Sequence, residues 1–129
     1  MGSPFHLLVA DDDDGLRESL RQTLEMQGYW VAAAQSGEEA IRIARAYAID
    51  CAILDYRMGD MTGLELVRHL RSVRPAFSSI LMSAELERTL RVEAQIAGFA
   101  HFLTKPISID LLRATVAQLL ARPEDPGRA

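Results

Sequence analysis

The chain has 129 residues, of which 49% are hydrophobic and 25% charged, and this composition is typical of one ordinary globular domain. Its net charge of -4 supplies no basic face for nucleic-acid phosphates, so we expect no direct nucleic-acid binding. One cysteine excludes a disulfide framework, and no apolar stretch approaches the roughly 20 residues of a membrane span, so we expect a reduced, cytoplasmic protein without membrane contact.

Five short apolar runs alternate with five longer segments in which apolar residues recur every three or four positions. Most runs show no polar–apolar alternation, as expected for parallel strands that are covered on both faces. The longer segments have the spacing of amphipathic helices. The predicted strands are 7–10, 31–34, 51–54, 79–82 and 100–103.

Several residues mark where the predicted helices begin and end. Ser36 followed by Glu39 has the form of a capping box, and Ser108 or Asp110 can cap the last helix. Gly28 and Gly98 stand where a helix must end before the next strand.

Alternating strands and helices predict an α/β fold of the (βα)5 type, in which right-handed crossovers join parallel strands. We expect a doubly wound five-stranded parallel sheet in the flavodoxin-like order 2-1-3-4-5. The domain is expected to span residues 5–121. Residues 1–4 are interpreted as a tag remnant or disordered start, and the polar residues 122–129 as a linker or disordered tail.

Polar side chains follow four of the five predicted strands. Asp11 and Asp12 follow the first strand, Asp55 the third, Ser83 the fourth and Lys105 the fifth. Ligand sites in such sheets lie beyond the carboxyl ends of the strands, at the point where the strand order reverses. In the order 2-1-3-4-5 the first and third strands are neighbours, so we expect Asp11, Asp12 and Asp55 within reach of one ion.

Asp13 and Asp14 are interpreted as the start of the first helix, because aspartate favours caps and first turns. Asp11, Asp12 and Asp55 would repel one another unless a cation held them. An oxygen-only set with few protein ligands suits Mg²⁺, which keeps several waters and pairs with phosphate oxygens.

Lys105 and Ser83 add a positive charge and a hydroxyl donor to this group of carboxylates. A carboxylate nucleophile, a metal, an ammonium and a hydroxyl together form a site for phosphoryl transfer. In such a site, positioning and charge neutralisation do most of the work.

These stretches, in this order, resemble the receiver domain of bacterial two-component response regulators over residues 5–120. The matching stretches are 7–13, 52–58 with Gly63 following, 80–84, 97–98 and 102–106. The family is a signalling domain whose only chemistry is its own phosphorylation and dephosphorylation, so we expect no enzyme activity on an external substrate.

The resemblance implies that Asp55 is the phosphoacceptor. It implies that Asp12, Asp55 and the backbone carbonyl of Arg57 ligate Mg²⁺, with Asp11 acting mostly through water. The family places the second acid five residues before an arginine, and Arg17 assigns that position to Asp12.

Ser83 would be the switch hydroxyl, Lys105 the phosphate contact and Phe102 the switch aromatic, although Phe102 is equally well interpreted as a core residue. The resemblance also implies a cis peptide bond before Pro106, which would aim Lys105 into the site. The phosphoryl donor would be a sensor histidine kinase or a phosphotransfer protein. The output domain or partner protein would bind the face of the fourth helix, fifth strand and fifth helix, and a homodimer on phosphorylation is compatible with this scheme.

The sequence departs from the family pattern near the expected phosphoacceptor. Proline is usual where Gly59 stands, so we expect a looser loop there. Arg57 lies two positions after Asp55, and Glu85 two after Ser83, so the two side chains could meet across the site and modulate the phosphoryl lifetime. The remaining departures are Thr62, Ala100 and His101.

Three alternative functions remain. A phosphohydrolase of the haloacid-dehalogenase type needs a second aspartate where Arg57 stands. A flavin-binding module needs a Ser/Thr/Gly phosphate loop after the first strand, where this chain has four aspartates. A pseudo-receiver that acts as a protein interaction module would keep the fold without the chemistry, and the intact acidic set argues against it.

Overall fold

The computed structural model describes residues 4–121, so the interpretations of residues 1–3 and 122–129 fall outside the described part. Each predicted apolar run forms a strand, and each segment of helical spacing forms a helix. The elements are β1 (His6–Ala10), α1 (Asp14–Met26), β2 (Trp30–Ala34), α2 (Gly37–Ala46), β3 (Cys51–Asp55), α3 (Gly63–Val73), β4 (Ser78–Ser83), α4 (Arg88–Ile96), β5 (His101–Thr104) and α5 (Ile109–Leu119).

The five strands form one parallel sheet in the order β2-β1-β3-β4-β5. The predicted fold class and strand order are therefore confirmed. Ala10 pairs with both Ala34 and Leu54, which aligns the carboxyl ends of three strands at one edge of the sheet.

Two apolar cores lie on opposite faces of the sheet, and alternate side chains of each strand enter one or the other. On one face, Leu7 and Val9 pack with buried residues of α1 and α5. On the other face, Leu8 and Ala10 pack with buried residues of α2, α3 and α4. Because helices cover both faces of the sheet with apolar side chains, the polar side chains of the site lie beyond the strand ends.

Every strand differs from its predicted run by one residue at one or both ends, and β3 extends to Asp55. β4 extends to Ser83 and β5 to Thr104, and these two residues pair with each other. Backbone pairing thus continues beyond the apolar run, which the side-chain pattern alone does not report. Ala100 precedes β5, but its backbone N–H still donates to Ser79 at 2.9 Å.

The helix starts confirm most of the predicted caps. The side chains of Asp13, Ser36 and Ser108 each accept a hydrogen bond from the third backbone N–H that follows. The capping box at Ser36 is half formed, because the Glu39 carboxylate bonds the N–H of Gln35 instead of Ser36. A complete capping box occurs at a position that the sequence analysis did not identify, between Thr62 and Glu65.

The predicted helix ends and the buried thiol are also as expected. Gly28 and Gly98 follow their helices with positive φ angles of 94° and 100°. Cys51 is fully buried, and this burial, helped by the nearby charge of Asp50, raises the pKa of its thiol to about 12. The thiol is therefore a packing group and not a nucleophile.

A small aromatic group lies at the opposite edge of the sheet, where the strands begin. The Trp30 ring lies 4.8 Å from the His6 ring and 5.1 Å from the Tyr47 ring, measured between centroids. Trp30 is the single tryptophan of the chain and is partly exposed. Within the described residues no helix is both long and apolar enough to cross a lipid bilayer.

Candidate functional site

Three aspartates meet where β1 and β3 end. Ligand oxygens of Asp11, Asp12 and Asp55 all lie within 4.8 Å of one another. Asp11 is fully buried and Asp55 is 6% exposed, whereas Asp12 lies at the exposed rim. The sheet order brings these residues together as predicted, and their oxygen-only chemistry fits a hard divalent cation.

Backbone and side-chain contacts fix the orientation of the Asp11 side chain. Its Oδ1 accepts a hydrogen bond from the N–H of Asp13 at 2.9 Å, and its backbone N–H donates to Ala34 at 3.1 Å. Arg17 reaches back from α1 and donates to the Asp11 carbonyl at 2.9 Å. The start of α1 therefore holds the first carboxylate in place.

Lys105 is the cation that balances this acidic group. Its Nζ lies 2.9 Å from Oδ2 of Asp11 and 3.1 Å from Oδ1 of Asp55. The peptide bond between Lys105 and Pro106 is cis, which confirms that prediction. The Lys105 N–H also donates to the Ser83 carbonyl at 2.8 Å, which joins the loop after β5 to the end of β4.

The environment of Asp55 makes its ionised form unfavourable. Burial raises the pKa of Asp55, the negative charges of Asp11 and Asp12 raise it further, and Lys105 offsets only part of the effect. Burial alone would lower the pKa of Lys105, but its bonds to Asp11 and Asp55 prevail and raise it. Lys105 therefore stays charged, and the site gains from a further cation near Asp55.

The start of α3 lies directly against the end of β3. A Cβ atom on Gly63 would lie 2.7 Å from the carbonyl oxygen of Asp55 and 3.0 Å from Leu81. Only glycine fits this position without moving backbone, so the match of Gly63 to the family pattern has a steric reason.

Ser83 is buried beside Asp55, but its hydroxyl binds its own loop. The Oγ donates to the Glu85 carbonyl at 2.8 Å and accepts a hydrogen bond from the Glu85 N–H at 3.3 Å. To contact a group bound on Asp55, this hydroxyl must exchange its partner in the loop between β4 and α4.

A cavity of about 350 Å³ opens beside Asp55, Ser83 and Lys105. Two acidic residues that the sequence analysis missed, Glu87 and Glu93, line it together with Leu90. The three residues are spaced three apart, so one stripe of the α4 region faces the cavity. That spacing was visible in the sequence, but only the fold shows which way the stripe faces.

Arg57 and Glu85 border the same cavity, as expected, but they do not form an ion pair. Arg57 and Glu85 both lie in the part of the chain that the structure describes. The Arg57 guanidinium lies over the ring of Tyr56 instead, with Cζ 5.2 Å from the ring centroid. The expected contact across the mouth of the site is therefore wrong for this conformation.

Phe102 is half-buried and packs at the edge of the core beneath α4. Cζ of Arg91, on α4, lies 5.9 Å from the centroid of its ring. The ring therefore lies between the core and the surface, and this position agrees both with a switch aromatic and with a core residue.

Comparisons with known proteins agree with this geometry. Residues 7–117 match the family model of the response regulator receiver domain. The response regulator MprA of Mycolicibacterium vanbaalenii is 37% identical over 124 residues, which cover 95% of this chain and 54% of that protein.

The chain belongs to the response regulator receiver domain family.

Solved structures of receiver proteins have the same fold. The chemotaxis protein CheY4 of Vibrio cholerae superposes with a TM-score of 0.86 at 28% identity, covering 91% of this chain and 99% of that chain. A response regulator of Burkholderia pseudomallei, solved with a phosphorylated aspartic acid, a calcium ion and citrate, gives 0.81 at 26% identity, covering 91% and 67%. The chain spans about half the length of its relative MprA. This chain is a receiver domain of the two-component signalling type.

Replacing Asp55 by asparagine should stabilise the metal-free receiver domain at pH 7. Folding raises the pKa of Asp55, so its contribution to stability is present below the unfolded value of roughly 3.9 and is lost as the pH rises through the folded value. The gain from Asp55→Asn should therefore appear at pH 7 and vanish near pH 3.5. Lys105 keeps Asp11 as its partner in this variant.

Urea unfolding in EDTA at the two pH values measures this difference. The control is Glu93→Gln, which removes an exposed charge at the same cavity and should change the free energy of unfolding by less than about 0.5 kcal/mol. An Asp55→Asn variant that is less stable than the wild type at pH 7 would refute the electrostatic account.

Proposed function

We propose that Asp55 is the phosphoacceptor of this receiver domain. The observation that carries the proposal is its place, buried 3.1 Å from the Lys105 ammonium and within 4.8 Å of Asp11 and Asp12. The phosphorylated aspartic acid of the Burkholderia relative supports it, because that protein shares the fold. The complete acidic set also favours this function over a pseudo-receiver.

We further propose that Mg²⁺ binds at this site, held by Asp12, Asp55 and the Arg57 carbonyl, with Asp11 acting mostly through water. When bound, the ion neutralises charge on phosphoryl oxygens and on the carboxylates. The donor set supports this proposal, since three carboxylates with one ammonium leave an excess of negative charge.

In the proposed reaction, a carboxylate oxygen of Asp55 forms a bond to phosphorus while the bond from phosphorus to the leaving group breaks. With a phosphohistidine donor, the leaving nitrogen takes the electron pair of that bond. Lys105 then contacts a phosphoryl oxygen with its ammonium, which lies next to Asp55 already. Positioning and charge neutralisation do most of the work in such a transfer.

The partners follow from the same scheme. The donor is a sensor histidine kinase or a phosphotransfer protein, and the reaction takes place in the cytoplasm. Output passes through the α4-β5-α5 face to an output domain or partner protein, or to a second copy of the chain. The greater length of MprA supports a further domain in the whole protein.

Incubation with acetyl phosphate and Mg²⁺ should add one phosphoryl group of about 80 Da to the wild-type protein, and intact mass spectrometry measures it. Asp55→Asn should gain none, and EDTA should reduce the yield at least tenfold. Asp13→Asn, which alters the cap of α1 and leaves the site residues in place, is the control and should be phosphorylated. An adduct that survives Asp55→Asn would overturn the assignment.

We propose that Ser83 and Phe102 transmit phosphorylation to the α4-β5-α5 face. The Ser83 hydroxyl is bonded to Glu85, so turning toward a phosphoryl oxygen would release the loop that leads into α4. Phe102 lies half-buried under that helix and could move inward behind it. A ligand shifts such an equilibrium only by its differential affinity for the two states.

Phosphorylation should therefore change amide hydrogen exchange along residues 85–102 in the wild type but not in Ser83→Ala. The variant keeps Asp55 and Lys105, so it should still accept the phosphoryl group. Thr104→Ala, which removes a hydroxyl from the adjacent strand end, is the matched control and should respond like the wild type. An identical response in Ser83→Ala would eliminate this route of coupling.

We propose that Arg57 and Glu85 set the lifetime of the phosphorylated form, although they form no ion pair with each other. Both side chains border the cavity from which a hydrolytic water would approach. The Arg57 guanidinium lies over the ring of Tyr56, which also lines this cavity, and its planar fork suits a phosphate oxygen. A contact of that kind in the ground state slows hydrolysis.

Arg57→Ala should speed decay of the adduct at least threefold after the donor is removed, and Glu85→Ala should also change the rate. Arg68→Ala, an exposed arginine on α3 that does not line the cavity, should decay like the wild type. Decay rates that all agree within twofold, about 0.4 kcal/mol in barrier, would show that neither residue controls the lifetime of the phosphorylated form.

A further inference from the structure

The loop between β3 and α3 is attached to the start of α2, a contact that the sequence analysis did not anticipate. Asp60 is 23 residues away from Gly37 along the chain. Its carboxylate nevertheless accepts two hydrogen bonds at 3.0 Å, Oδ1 from the N–H of Gly37 and Oδ2 from the N–H of Glu38. These N–H groups belong to the first turn of α2, where backbone donors have no partner within the helix.

A second contact holds the loop between β3 and α3 against the start of α2. The Met61 side chain packs directly over Gly37, and a Cβ atom at that position would overlap it. Gly37 is buried under Met61, so the absence of a side chain there is what lets the loop approach. Asp60 and Met61 thus attach to adjacent points of one helical turn, one by hydrogen bonds and the other by packing.

Within itself the loop is closed into a tight turn. Arg57 and Thr62 form an isolated antiparallel bridge, and the N–H of Gly63 donates to the Tyr56 carbonyl at 2.8 Å. Gly59 adopts a φ angle of 81° at the tip, which proline cannot adopt. The loop after Asp55 was expected to be looser because Gly59 stands where proline is usual. The bridge and the hydrogen bond restrain it instead.

The pKa of Asp60 agrees with an ionised acceptor at this helix end. Burial works against ionisation, but the backbone N–H groups of Glu38 and Gly37 prevail and lower the pKa. A negative charge at the start of a helix is also favoured by the helix dipole.

We infer that Asp60 is a positioning residue for the metal site, acting through the loop that carries the Arg57 carbonyl. This inference rests on the proposed function, in which that carbonyl is a metal ligand. The attachment to α2 restrains this turn, because it fixes the far side of the turn whose near side joins Asp55. Removing the carboxylate frees the turn and leaves every proposed ligand in place.

Titration calorimetry with Mg²⁺ on the full chain tests this inference. Asp60→Ala should weaken Mg²⁺ binding about tenfold, the low end of the loss when a group that orients a metal ligand is removed. Asp60→Asn keeps one oxygen acceptor but presents an amide NH2 group, which cannot accept, to the second backbone donor, so its Mg²⁺ affinity should lie between those of the wild type and Asp60→Ala. Glu38→Gln removes one negative charge at the same helix end and keeps both backbone donors, so it should stay within about twofold.

Two further readouts separate positioning from general destabilisation. In EDTA, Asp60→Ala should speed amide exchange at residues 58–63 and leave α5 unchanged. Its rate of phosphorylation by acetyl phosphate should fall at low Mg²⁺ and recover to within about twofold at saturating Mg²⁺. A rate that stays low at saturating Mg²⁺ would contradict action through the metal ligand.

Gly37→Ala displaces the Met61 side chain from the start of α2 while keeping every carboxylate. Like Asp60→Ala, it should weaken Mg²⁺ binding. Asp60→Ala that binds Mg²⁺ within twofold of the wild type, or Glu38→Gln that binds as weakly as Asp60→Ala, would overturn the inference. A wild-type chain that neither binds Mg²⁺ nor accepts a phosphoryl group would instead overturn the proposed function.

Discussion

The candidate site depends on two carboxylates that are buried side by side at the ends of adjacent strands. Burial disfavours the ionised form of Asp55, and one lysine in the loop after the edge strand β5 is the shared counterion of Asp11 and Asp55. The apolar packing on both faces of the sheet stabilises the domain well enough to hold this unfavourable pair. The excess of negative charge favours a further cation at the site, and the proposed phosphoryl transfer needs that cation because the carboxylates alone would repel a phosphoryl group.

Much of the site could be predicted because its residues follow apolar runs directly. Asp11, Asp55 and Lys105 are placed by the strand order alone, and helical spacing with caps fixes where most helices start. The contact of Asp60 with α2 could not be predicted in this way. It depends on the backbone path of the seven-residue loop between β3 and α3 and on a pairing across 23 residues, and neither leaves a periodic pattern. The missing Arg57–Glu85 pair has a similar cause, since both are exposed side chains in loops with other contacts available.

The Ser83 hydroxyl has a hydrogen-bond partner that the proposed switch would exchange for a phosphoryl oxygen. In this conformation its hydrogen-bonding capacity is used by one residue of its own loop, two positions along the chain. Exchanging that partner for a phosphoryl oxygen replaces one hydrogen bond by a charge-assisted one, so the net gain is modest and the change reversible. The strand that ends at Ser83 is mostly buried, whereas most residues of the loop after it are exposed. In the proposed switch, movement would therefore involve the loop and the helix that follows.

The position of Trp30 determines what optical spectroscopy can detect in this protein. The single indole lies where the strands begin, among His6 and Tyr47, about 15 Å of strand length away from the acidic cluster. Its emission should follow loss of the sheet during unfolding and be insensitive to events confined to the aspartates. Any change in that emission when the site is occupied would mean that a rearrangement has crossed the whole sheet. The tryptophan is thus a built-in reporter of global rather than local change.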